Sequence, residues 1–303
     1  MLSAFSAYAL WGFLPIYWKA VQKVPASEIL CHRIVWSFVF VVLLLIWKKH
    51  WGWLQQARKN PVTLITFLGT SCIMGLNWFI YVWAVNAGHI VDTSLGYFIN
   101  PLINVLLGVL FLKERLRPWQ WIAIGIAASG VTYLTLSYGS FPWIALSLAI
   151  TFGFYGLLSK TAPLGALAGL SLETTFLFLP ALVYLLYLEW MGTASFGHTG
   201  TMTSTLLAFA GVVTALPLLW FAYGAKRVTL TTLGFLQYIT PTLQLLLGVL
   251  VYGEAFTKTQ MVGFSAIWMA LSIYSLEGII ERRRKSNSAL RAGMGSITHK
   301  KSR

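Results

Sequence analysis

The tract from Pro101 to Glu114, PLINVLLGVLFLKE, returns at Pro241 to Glu254 as PTLQLLLGVLVYGE, with seven of fourteen positions identical. A tract repeated 140 positions further on marks a duplication, so the fold must be assembled from two copies of one unit. Smaller matches extend it: Gly12-Phe13 with Lys19 corresponds to Gly153-Phe154 with Lys160 at an offset of 141, and Leu95-Gly96-Tyr97 to Leu233-Gly234-Phe235 at 138. The step from 138 to 140 puts two extra residues in the second copy, FLQYIT against YFIN, just before the repeated proline. The halves share a plan and differ in detail.

Both copies of the tract sit inside long apolar runs, and composition fixes their solvent. With 57% hydrophobic residues, 10% charged residues and a mean hydropathy of +0.72, the chain is suited to a bilayer. Apolar spans occur near 2–19, 30–47, 62–85, 91–112, 119–137, 142–159, 169–189, 204–224, 229–252 and 259–279. Each is about the length needed to cross roughly 30 Å of hydrocarbon, and a helix satisfies its own backbone there despite internal Gly and Pro. The expected fold is an all-α membrane protein of ten transmembrane helices. It comprises two five-helix repeats, residues 1–138 and 139–281, followed by a flexible basic tail, 282–303. An odd number of spans per repeat turns the second copy over in the membrane, and inverted repeats are a recurrent plan of secondary transporters.

Orientation follows from Lys and Arg. With the N-terminus placed in the cytoplasm, 18 of the 22 fall on inner loops or the tail, and only Lys19, Lys23, Arg33 and Lys258 fall outside. Without the tail the count is still 10 against four, so both termini are expected inside. The net charge of +14 is explained by this topology and does not call for nucleic acid. The basic tail is drawn to anionic headgroups or serves as a stop signal. The opening segment, MLSAFSAYALWGFLPIYWK, lacks a basic n-region and reads as a first span in place of a cleaved signal. Cys31 and Cys72 lie at or in apolar segments, so neither a disulfide nor a metal site is expected, and no cofactor motif is present.

EILCHRIVWSF at 28–38, NWFIYVWAVN at 77–86, SLGYFINPLINVLLG at 94–108, Glu114-Arg115, FGFYGLLSK at 152–160, LET at 172–174 and LGFLQYITPT at 233–242 resemble the drug/metabolite transporter superfamily with paired EamA repeats, within it the RarD group. The resemblance runs from about residue 4 to 280. It implies a bacterial inner-membrane carrier working by alternating access, with helices 1–4 and 6–9 around a central cavity and helices 5 and 10 outside it. The group is associated with chloramphenicol sensitivity and relatives export small metabolites, but the resemblance does not fix a substrate.

An ionised side chain at the bilayer centre costs at least about 2.5–3.5 kcal/mol, so intramembrane charges are functional candidates. Glu173 is the acidic residue well inside a span. Desolvation there favours the neutral acid, and its readings are a proton carrier, a counter-ion for a substrate amine, or a structural carboxylate. Arg33, beside His32, is its repeat counterpart at an offset of 140. Their depths differ by roughly 13 Å, which argues against a direct salt bridge. Arg33 holds an outer gate or a substrate carboxylate, or snorkels to the headgroups.

A second cluster is amide and aromatic: Asn77, Trp78 and Trp83, with Asn86, in the third span; Tyr97, Asn100 and Asn104 on one face of the fourth; Tyr155 in the sixth; Gln237, Tyr238 and Gln244 in the ninth. Neutral amides and rings suit recognition of a small amphipathic molecule that must also be released. The competing reading for each amide is an interhelical hydrogen bond, worth on average about 0.6 kcal/mol. Pro101 and Pro241 free a carbonyl one turn back and are candidate hinges, as are Gly12 and Gly153. Gly125 and Ser129 offer close packing within the monomer or a homodimer contact.

An intramembrane enzyme would need a nucleophile with a base, or a metal set. GLSLE at 169–173 lacks the second Gly of a serine elbow, and GIAASG at 125–130 lacks the Lys-Ser/Thr of a phosphate loop. Nor is there a carbonyl-filter motif for a channel. The sequence therefore points to a secondary carrier of small molecules, proton-coupled or facilitative.

Overall fold

An apolar chain crossing hydrocarbon must satisfy its amides internally, and the chain does so with helices throughout. The structure is a computed structural model that describes residues 1–49, 51–87, 89–137, 141–253 and 257–300. The side chains of residues 56, 85, 86, 90–92, 94 and 282–300 lie outside that description, Asn86 among them. The elements are α1 (Leu2–Ala20), α2 (Ala26–Lys48), α3 (Gly52–Lys59), α4 (Pro61–Asn86), α5 (Ile90–Leu112), α6 (Pro118–Ser137), α7 (Trp143–Thr161), α8 (Ala166–Trp190), α9 (Thr201–Ala225), α10 (Leu230–Gln237), α11 (Ile239–Leu246) followed by a π-helical turn at Leu247–Val251, and α12 (Lys258–Lys300).

Each predicted span begins within four residues of a helix. Among the described residues, eight stretches are long and apolar enough to cross a membrane on length and composition: α2, α4, α5, α7, α8, α9, the α10–α11 stretch and α12. Two features were not expected. The short amphipathic α3 lies between the second and third spans, and its Trp53 is buried against Phe67 and Leu164, whereas Trp47, Trp119 and Trp143 are exposed as interfacial rings are. And α12 carries on to Lys300, through the basic segment read above as a flexible tail.

The chain forms two compact units, Met1–Glu114 with Ser140–Ala255, and Arg115–Gly139 with Phe256–Arg303. Each takes segments from both halves of the duplication. In the smaller unit α6 and α12 cross at Gly130, where an added Cβ would lie 2.9 Å from Ala266 Cβ. Gly130 makes this approach, while Gly125 has no neighbour there among the described residues and Ser129 is exposed. Arg117 forms ion pairs with Glu277 and, at 3.2 Å, with Glu281. The Glu277 hydrogen bond, foremost, raises the Arg117 pKa above the ordinary guanidinium value.

In the larger unit the most extensive packing pairs have repeat-related counterparts. α1 packs on α9 as α7 does on α4, α5 on α7 as α10 and α11 do on α1, and α2 on α9 as α8 does on α4. Two further extensive pairs, α2 with α8 and α5 with α10, are their own counterparts. Two glycines show the same relation at atomic scale. A Cβ at Gly12 would come within 2.7 Å of Leu243 Cβ, and one at Gly153 within 2.7 Å of Ile103 Cγ2.

The repeated tract has a local explanation. At the end of α5, Lys113 adopts a left-handed conformation (φ 52°), and its amide and that of Glu114 both donate to the Gly108 carbonyl. Its counterpart Gly253 is left-handed too, at φ 67°. This turn folds the Glu114 carboxylate back over Gly108, where an added Cβ would sit 2.8 Å from Oε2. The carboxylate accepts from the Leu230 amide at 2.5 Å, the Thr231 amide at 3.0 Å and Thr231 Oγ1 at 2.7 Å. An acid on the positive end of a helix satisfies the first-turn donors of α10. Glu254, its counterpart, lies outside the described residues.

The halves diverge at the prolines. α5 runs unbroken through Pro101, whereas the ninth span breaks at Tyr238 between α10 and α11, inside the two-residue surplus noted above.

Candidate functional site

α2, α4, α7, α8 and α9 surround a cavity of about 20 Å³. Its wall includes Ile34 and Ser37 from α2, Trp78 from α4, Tyr155 from α7, and Glu173 and Thr174 from α8. The offset of 140 that pairs Arg33 with Glu173 also pairs Ile34 with Thr174 and Ser37 with Leu177, and all four of these line it. The cavity is thus built from the same surface of α2 and α8 used twice.

Glu173 is 7% exposed, and its Oε2 accepts from the Tyr155 hydroxyl at 3.1 Å. Thr70 of α4 interacts with the same carboxyl. Among the described residues Glu173 has no ion-pair partner, Arg33 included. Arg33 lies elsewhere on the cavity's margin. Its Nε donates to Thr214 Oγ1 at 3.0 Å, and its guanidinium sits 4.9 Å from the Trp18 ring and 5.1 Å from the Trp78 ring. Each cation–π contact is worth about 0.5–2 kcal/mol, so the head group is held by rings. Tyr17, Tyr81 and Tyr97 are near enough to act on its charge. Trp78 therefore joins Arg33 to the cavity.

The amides are spent between helices. Asn77 donates to Leu148 O at 3.0 Å and Thr151 Oγ1 at 2.8 Å, joining α4 to α7. Asn100 donates to Ala149 O at 3.0 Å, joining α5 to α7. Asn104 donates to Asn100 Oδ1 at 2.9 Å and to Gln237 Oε1 at 3.0 Å, tying α5 to α10. Gln244 reaches Trp11 O and Tyr238 reaches Phe98 O, each at 3.4 Å. None of these six lines the cavity. Trp83 stands apart from it, 42% exposed and beside His89 and Trp143. His32 stacks on Phe196 at 4.9 Å, with Nε2 3.7 Å from Glu28. Glu28, fully buried, accepts from the Ser195 amide at 2.7 Å, Ser195 Oγ at 2.8 Å and the Phe196 amide at 3.2 Å. The pair belongs to the anchorage of the α8–α9 loop.

Of the sequence candidates, Trp78, Tyr155 and Glu173 thus meet at one cavity, with Arg33 at its edge. Ser37, Thr174 and Leu177 were missed. Their signal was positional: they sit one turn beyond Arg33 and Glu173, or at the same repeat offset.

A second cavity, of about 10 Å³, shares Tyr155, Leu170 and Glu173 with the first and extends toward the α7–α8 turn, past Ser159 and Lys226. Two lysines clasp this end. Lys160, in the last turn of α7, donates to Ala225 O at 3.1 Å and to Val228 O, while Lys226, just past α9, donates to Ala162 O at 2.6 Å and to Leu164 O. Each cation caps the carbonyl end of the other's helix. Burial lowers the Lys226 pKa below the ordinary lysine value.

The sequence pattern of the EamA-like transporter family matches residues 1–136. An uncharacterized transporter of Vibrio cholerae is 48% identical over 279 residues, covering 92% of each chain. The protein RarD of Escherichia coli is 43% identical over 286 residues, 94% of this chain and 97% of that one. The chloramphenicol-sensitive protein RarD of Pseudomonas aeruginosa is 33% identical over 276 residues, 89% of this chain and 91% of its own. A crystal structure at 19% identity matches with a TM-score of 0.70 over 91% of this chain and 96% of the other, a likeness of fold. With the duplication, the all-helical architecture and these relatives agreeing, the chain belongs to the EamA-like transporter family and is RarD-like within it.

Proposed function

We propose that this chain is a bacterial inner-membrane secondary carrier, not an enzyme, exporting small amphipathic metabolites or drugs by alternating access, with proton coupling through Glu173 and both termini cytoplasmic. The observation that carries this reading is a buried carboxyl, with no basic partner among the described residues, in the wall of a cavity of about 20 Å³ enclosed by five helices. Such a group exchanges a proton or binds a substrate cation, and either use is emptied and refilled once per cycle. Trp78 and Tyr155 supply apolar faces for the substrate body, and Arg33, held between Trp18 and Trp78, supplies the cationic end for an acidic group. The hydrogen-bonded amides hold the helices that frame the cavity.

The test is counterflow and pH-gradient-driven flux in proteoliposomes across aromatic, aliphatic and cationic amino acids and chloramphenicol. Glu173→Gln is expected to abolish the response to the pH gradient while leaving exchange of a bound substrate class. Full gradient-driven flux in folded Glu173→Gln would remove the proton from the mechanism and leave facilitated diffusion.

A further inference from the structure

The two cavities share Tyr155, Leu170 and Glu173, and one hydrogen bond joins the first of these to the last. Tyr155 and Glu173 line both, and the Tyr155 hydroxyl spans from α7 to the Glu173 carboxylate on α8 at 3.1 Å. One turn further along α7, Ser159 lines the second cavity and not the first; it is 5% exposed, and among the described residues its Oγ has no hydrogen-bond partner. Hydroxyls elsewhere in these helices bond back to the carbonyl four residues earlier, as Thr151, Thr161, Ser171 and Thr174 do. Ser159 does not, although it lies near enough to interact with the Tyr155 hydroxyl. A buried unpaired hydroxyl costs about 1–3 kcal/mol and calls for an explanation.

We infer that the Tyr155–Glu173 hydrogen bond is a gate between the two cavities, and that Ser159 is the alternative partner of the Tyr155 hydroxyl when the gate opens. With the hydroxyl on Ser159, Glu173 is reached by water from the second cavity, on the side of Lys226 and the α7–α8 turn. Tyr155 is thus a positioning residue. Its ring lies 5.9 Å from Phe221 at an interplanar angle of 14°, so a small tilt within the stack moves the hydroxyl without displacing the helix. The inference rests on the carrier reading above and adds the route by which the buried carboxyl is reached.

Accessibility to a membrane-impermeant charged methanethiosulfonate tests it, with Cys31 and Cys72 replaced and vesicles prepared in both orientations. Ser159→Cys is expected to react from the face bearing Lys226. Thr174→Cys, in the first cavity, is expected to react slowly from that face, and about tenfold faster once Tyr155→Phe removes the bond, the change expected for loss of one hydrogen bond to a carboxylate. Ser159→Ala keeps the closed bond but removes the open one and slows the same reaction, giving the opposite sign should Tyr155→Phe fail to fold. Reaction of Ser159→Cys only from the opposite face, or a Thr174→Cys rate indifferent to both variants, overturns the gate. Because labelling needs no transport, a pH-insensitive flux alongside the expected labelling refutes only proton coupling. A pH-driven flux without the labelling pattern refutes only the gate.

Discussion

Glu114 closes the repeated tract, and its carboxylate is the acceptor for the first turn of α10. Glu114→Ala removes a charged acceptor from two backbone amides and one hydroxyl. Bonds to charged groups are worth about 1.5–3 kcal/mol each, but Glu114 is only half-buried and water substitutes in part, so about 1 kcal/mol per bond is the better figure. The total, about 3 kcal/mol, corresponds to a fall in Tm of about 5 °C for a chain of this size. Gly108→Ala reaches the same interaction from the other side, since its methyl would stand 2.8 Å from Glu114 Oε2 and drive the carboxylate off its donors. Once the carboxylate is gone, the nearest remaining contact is Leu230 Cβ at 3.3 Å, which a small shift relieves. The two losses are therefore expected to be non-additive, the double variant lying within about 1 kcal/mol of Glu114→Ala alone. Thermal unfolding of the four proteins in one detergent measures this. Additive losses, or Glu114→Ala melting within 1–2 °C of the parent, would refute the assignment of this glycine and this acid to one device.

Replacing Lys160 or Lys226 by Met removes the cap from the carbonyl end of the other's helix; each is expected to lower stability by about 1 kcal/mol, read by thermal unfolding, with the double variant losing no less. Asn104→Leu breaks two hydrogen bonds between buried amides and is expected to cost about 1 kcal/mol while leaving substrate affinity in counterflow unchanged; a shift in affinity without a loss of stability would return that amide to the binding site. Topology reporters fused after Tyr138 and after Lys160 are expected to report outside and inside respectively, and the same side for both would remove the inverted arrangement.

Helix positions were legible because a bilayer allows one backbone solution and the apolar runs have its length. The α3 segment, GWLQQARK with its preceding Trp51, was not, since eight helical residues are too few to register as a span and the sequence there reads as a loop. The surplus of two residues before Pro241 was visible, yet its outcome, a broken helix at Tyr238, depends on how α10 meets α5. Periodicity placed Tyr97, Asn100 and Asn104 on one face without saying what that face meets, and it meets α7 and α10 in place of open space. Glu173 was found because burial of a lone acid is conspicuous in any apolar run. Ser37 and Thr174 were missed because a small hydroxyl in a membrane helix normally bonds its own backbone, and only the repeat offset marked them.

The unequal prolines bear on how the two halves exchange roles. On the alternating-access reading proposed above, a carrier built from inverted copies reaches its second access state by trading the copies' shapes. Trading them here would straighten the ninth span at Tyr238 and bend α5 near Pro101, where the missing amide already leaves the Tyr97 carbonyl without its helical donor. The crossing of these two helices, with Gly234 set against the Pro101 carbonyl, would then be the pivot of the exchange. The two extra residues belong to one copy only, so the trade is never complete. The inward and outward forms would differ in energy from the outset, a bias in resting direction written into the chain before any substrate or proton arrives.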